Sequence, residues 1–116
     1  MAKNNNSLIV FFLFMLFLLA VSCNKNNTKK PSPLIGEEQM IELLVGVHLT
    51  DAIAEKRASG DVEKSKAIAK KMQQELFENN KINAKIFYEN QTYYELNPKQ
   101  YMQMYDEVIK QLEKIK

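Results

Sequence analysis

Leu96-Asn97-Pro98-Lys99-Gln100-Tyr101 marks a helix start in four independent ways. Asn97 is a capping residue type, and Pro98 falls at the first helical position, where its fixed φ fits and its missing N–H is not needed. Gln100 stands where a capping box closes, and Leu96 and Tyr101 hold the five-residue spacing of a hydrophobic staple. Beyond this start, Tyr101, Met104, Tyr105, Val108, Leu112 and Ile115 recur on one face, opposed by Lys99, Gln103, Asp106, Lys110 and Glu113. The pattern predicts an amphipathic helix over 98–115 that packs on one side only.

The staple spacing recurs upstream: Ile82 and Phe87 flank Asn83, and Ile35 and Met40 flank Gly36. With Gly60 to end one helix and Asp61 to cap the next, the chain reads as helices over 37–58, 62–79, 84–95 and 98–115. No short run alternates apolar with polar residues, so the expected class is all-α, a small domain of about four helices. The first is apolar around most of its circumference, with Met40, Ile41, Leu43, Leu44, Val45, Val47, Leu49 and Ile53, and is expected at the centre. The second carries a narrower stripe of Ile68, Ala69, Met72 and Leu76, backed by Lys64, Lys66, Lys70 and Lys71. That basic face is most simply solvated surface.

Ahead of the helices, Ala2 to Ser7 holds one charge, Lys3, and Leu8 to Val21 is an unbroken apolar run. A membrane-spanning helix needs about 20 such residues, and Ser22, Cys23, Asn24 and Lys25 stop this run short, so residues 1–22 read as a signal peptide. The run closes on Leu19-Ala20-Val21-Ser22-Cys23. This resembles the lipobox of bacterial lipoproteins, in which a small residue precedes a cysteine that receives a diacylglyceryl thioether and becomes the mature N-terminus. The expectation is cleavage between Ser22 and Cys23 with lipidation of Cys23; the competing reading is an ordinary secretory signal that leaves Cys23 a lone thiol. Residues 23–33 then form the lipidated cysteine and a flexible linker, because Asn24 to Pro33 contains no apolar residue. Lys25, Lys29 and Lys30 either touch anionic headgroups or simply solvate that tether. The helical domain is expected over 34–116.

Composition narrows the functional classes. The whole chain of 116 residues carries 16 Lys and Arg against 14 Asp and Glu, a net charge of +2, which implies no nucleic-acid partner. One cysteine excludes a disulfide framework and a zinc finger, and Gly36, Gly46 and Gly60 form no phosphate loop. A core this small supplies only about 3 to 5 kcal/mol, which favours a partner or self-association.

Few residues invite chemistry. His48, the only histidine, has Asp51 and Glu55 on its side of the helix. They suggest either a general base oriented by a carboxylate, or half a metal site, or a structural imidazole bonded to Asp51, a tyrosine or backbone. Tyr88, Tyr93, Tyr94, Tyr101 and Tyr105 crowd the last third of the chain, either as a stacking surface or as core rings with outward hydroxyls. Tyr93 and Tyr94 join His48, Asp51 and Glu55 as the candidate interaction residues. Glu89-Asn90-Gln91-Thr92 reads as polar helix surface.

The order of these features, with Pro33-Leu34-Ile35-Gly36-Glu37-Glu38-Gln39-Met40, Leu44-Val45-Gly46-Val47-His48-Leu49, Phe87-Tyr88-Glu89-Asn90 and Tyr93-Tyr94 ahead of Asn97-Pro98, resembles domain-of-unknown-function family 4296, small lipoproteins of the Bacteroidetes group. The resemblance runs from Leu34 to Leu112. Gly36 departs from the usual Ser cap, and Gly46 stands where an acidic residue commonly precedes the histidine segment. The resemblance implies an all-helical, membrane-anchored periplasmic domain and brings no activity with it. The expected function is a non-catalytic binding or adaptor module for an envelope protein, held on the periplasmic side, at the outer membrane, with no cofactor or bound metal. The alternative is an enzyme or metal-dependent ligand-binding domain centred on His48.

Overall fold

The computed structural model describes residues 5–20 and 29–115. Helix α1 spans Asn5–Ala20, α2 Glu37–Ala58, α3 Val62–Asn79, α4 Ala84–Glu95 and α5 Pro98–Glu113, with no strand among the described residues. The class is all-α. α2, α3 and α4 begin and end where caps and periodicity place them, and α5 stops two residues short of the expected 115. α1 lies within the expected signal segment, and its side chains from Leu8 to Phe17 are exposed. Among the described residues no helix is long and apolar enough to cross a membrane. Ser22 and Cys23 lie outside the described residues.

The caps form as side-chain chemistry dictates. Asp61 Oδ1 accepts the Lys64 N–H at 3.0 Å, Asn83 Oδ1 the Ile86 N–H at 2.9 Å, and Asn97 Oδ1 the Gln100 N–H at 3.4 Å. One detail differs: Gln100 Oε1 accepts from the Asn97 side-chain Nδ2 at 3.5 Å, while the Asn97 backbone N–H that a capping box would use donates to Tyr94 O. Gln100 Nε2 donates to Glu37 Oε2 at 2.8 Å, an inter-helical bond that ties α5 to the start of α2. Gly36 offers no side chain to cap α2, and Glu37 and Glu38 in the first turn place negative charge at the positive end of its dipole. The turn into α3 uses the left-handed region at two residues, Ser59 with φ 51° and Gly60 with φ 92°.

α2 is the central element, flanked by α3 and α5, while α4 bridges α5 and α3. Its Met40, Leu43, Leu44 and Val45 are buried with Phe77, Phe87, Met104 and Val108. Phe87 and Phe77 stack with centroids 4.9 Å apart, and burial of a ring such as Phe87 contributes about 2 to 3 kcal/mol. Gly46 lets α3 approach closely, because a Cβ there would sit 2.8 Å from Leu76 Cδ2. The apolar girdle of α2 is not wholly used: Ile53 is exposed and Ile41, Val47 and Leu49 are half-buried. Two flanking helices cannot cover a full circumference.

Candidate functional site

The most organised polar site is built on α4, in the stretch that reads as polar surface. Phe87, Asn90 and Tyr94 are spaced three and four residues apart, so α4 turns all three toward the core. Asn90 is 0% exposed. Its Oδ1 accepts the Ile35 N–H at 2.7 Å, and its Nδ2 donates to Pro33 O at 3.0 Å and to Ile86 O at 2.9 Å. One turn on, the Tyr94 hydroxyl donates to Ile35 O at 2.6 Å. The expected polar surface is thus corrected at Asn90: the irregular segment entering α2 has no helix or sheet partner for its peptide groups, and an amide side chain supplies both a donor and an acceptor for them.

This clamp holds Pro33 to Ile35 against α4. Pro33, which composition alone groups with the tether, is therefore bonded to the domain. Burial, followed by the nearby carboxylate of Glu37 and by Tyr93, raises the Tyr94 pKa above the ordinary phenol value and keeps its hydroxyl a donor. Of the expected Tyr93–Tyr94 pair, only Tyr93 is available at the surface. It is half-buried, meets Tyr94 edge-on at 5.5 Å, and lines a shallow depression with Tyr88 and Leu96.

The expected His48, Asp51 and Glu55 group does not assemble. His48 is exposed and faces α5, where its Nε2 lies 3.2 Å from the Tyr105 hydroxyl and the two rings meet edge-on. Asp51 instead accepts a hydrogen bond from Gln73 Nε2 on α3 at 2.8 Å. Glu55 is exposed and shares with Asp51 a depression at the α2–α3 end, bounded by Asp61, Ser65 and Lys66, that His48 does not line. His48 thus faces α5, whereas Asp51 and Glu55 face α3. Among the described residues no group of three His, Cys, Asp or Glu side chains could hold a metal ion.

Of the partners open to a structural imidazole, Asp51, a tyrosine or backbone, His48 meets a tyrosine, Tyr105 on α5. Tyr105 meets Tyr101 edge-on at 5.0 Å, and the Tyr101 hydroxyl donates to Glu95 Oε1 at 3.4 Å while accepting from Gln91 Nε2 at 3.3 Å. Burial pushes the Tyr101 phenol up to about 12, against a lowering by the Gln91 bond and reinforced by Tyr105 and Glu95. The result is a polar line from imidazole to carboxylate across α2, α5 and α4.

The fold and clamp together define a small all-helical domain whose leading segment is pinned to its second-to-last helix, α4, by side-chain amide and phenol. The chain belongs to the family described as Domain of unknown function (DUF4296), which matches residues 31–116. The match begins two residues before Pro33, so the clamped segment falls inside the family domain. No curated protein and no solved structure matches the chain.

Proposed function

We propose that this chain is a lipid-anchored envelope protein, tethered through Cys23 to the periplasmic face of the outer membrane, whose helical domain binds another envelope protein and performs no chemistry. The clamp of Asn90 and Tyr94 on Pro33 and Ile35 is the observation that carries this reading. A freely swivelling tether would present every face of the domain equally. A clamped one fixes the point beside α4 at which the chain leaves the domain, so that side lies nearest the anchor and the others are left to a partner. The separation of His48, which meets Tyr105, from Asp51, which meets Gln73, supports the non-catalytic side of the proposal.

The test combines anchoring and partnership in one strain. Labelled palmitate enters the wild-type protein and not Cys23→Ser, and mass spectrometry finds a lipidated Cys23 at the mature N-terminus. Mild crosslinking of intact cells then yields one defined heteromeric adduct for wild type, which is lost in Cys23→Ser. An unmodified cysteine overturns the anchor, recovery of monomer alone overturns the adaptor role, and digestion of the domain by protease added to intact cells overturns the periplasmic placement.

A further inference from the structure

The side of the domain from which the tether leaves has its own surface chemistry. Lys29 and Lys30 lie along α4 beside Tyr88 and Leu96, and together they line the shallow depression of about 570 Å³ noted above. Tyr88 is 52% exposed and Leu96 44%, and Leu34 in the clamped segment is 39% exposed. Phenol rings with an apolar body and a polar tip, next to lysines whose stems lie on apolar surface while the ammonium reaches outward, are the side chains that sit stably at a membrane–water interface. Glu89, the one carboxylate lining that depression, is held 3.7 Å from Lys85 Nζ, which offsets its repulsion of an anionic surface.

Distance adds the second argument, which rests on the lipid-anchor reading. Five residues lie between Cys23 and Lys29, and the six steps from one to the other span at most about 21 Å. The clamp then fixes the chain direction at Pro33 to Ile35. We infer that the face of α4 carrying Tyr88 and Leu96, with Lys29 and Lys30, lies on the anionic headgroup layer of the membrane that holds the anchor. The helical domain is thus seated on the bilayer in one orientation, and α2, α3 and α5 are left to meet a protein partner.

The chain contains no tryptophan, so single substitutions report position without background. The full lipidated protein is reconstituted into vesicles of phosphatidylethanolamine and phosphatidylglycerol with brominated acyl chains, and helicity is checked by circular dichroism. Tyr88→Trp and Leu96→Trp lose most of their emission relative to unbrominated vesicles. Val62→Trp keeps its emission, since Val62 is 63% exposed and starts α3, about 27 Å along that helix from the end that leads into α4. Adding Lys29→Glu and Lys30→Glu to Tyr88→Trp restores part of the lost emission; no restoration overturns the role of the two lysines. Equal quenching at all three positions, or none at 88 and 96, in protein whose mass includes the diacylglyceryl group overturns the orientation and leaves the anchor standing. A mass without lipid overturns both.

Discussion

Two polar side chains stand on largely apolar helix faces, and the chain treats them oppositely. His48 on α2 draws attention by its rarity and its acidic neighbours, yet it lies exposed with one hydrogen bond, to Tyr105. Asn90 on α4 hides in a run of polar residues, yet it is 0% exposed and makes three. Residue type predicts chemistry, whereas position relative to unpaired backbone predicts burial. An imidazole has nothing on α2 that requires it. The segment before α2 has peptide groups that must be satisfied somewhere, and the Asn90 amide meets both kinds.

That contrast makes ordered predictions. Asn90→Ala leaves the Ile35 N–H and Pro33 carbonyl without partners and should cost about 3 kcal/mol, read as a lowered denaturant midpoint with an unchanged slope. A loss near zero would mean that water or a shifted segment replaces the amide, and the clamp would not be structural. Tyr94→Phe keeps the ring and removes one donor, so the expected loss is about 1 to 2 kcal/mol in the same measurement. His48→Ala should change stability by no more than about 0.5 kcal/mol, as expected for an exposed side chain. A larger drop would show that the Tyr105 contact supports the fold and would erase the contrast with Asn90.

The smallest effect at neutral pH concerns Tyr101, whose phenol is pushed from 10.0 up to about 12. A raised folded-state value favours the protonated phenol, so its contribution is complete below pH 10 and is lost as pH rises through about 12. Phenolate absorbance should therefore show a component that titrates near that upper value and disappears in Tyr101→Phe. If Tyr101→Phe leaves the titration unchanged, the shifted phenol is another tyrosine.

The boundaries were legible because local chemistry sets them. Asp61, Asn83 and Asn97 each cap the helix that their side chains can cap, and the periodicity of Tyr101, Met104, Tyr105 and Val108 turns α5 onto its neighbours. The clamp was not read, although its signal was present. Asn90 lies three residues after Phe87 and four before Tyr94, the spacing of a shared face, but Glu89, Gln91 and Thr92 around it carry the polarity of an outer surface. The pairing of Asp51 with Gln73 lay further from reach, because it depends on how closely α3 settles against α2 at Gly46. Helical phase places side chains on one helix and says nothing of which neighbour arrives first.

The clamp also determines where mechanical load enters the domain. A pull on the chain ahead of Pro33 is borne first by the Asn90 bonds to Pro33 and Ile35 and by the Tyr94 bond to Ile35. These bonds span from the leading segment to α4, so tension passes sideways into α4 and the Phe87–Phe77 stack behind it instead of peeling α2 from its first turn. The domain would resist such a pull as a latch does, holding at full strength until these few bonds release together, after which α2 would be exposed to unwinding from Glu37 onward.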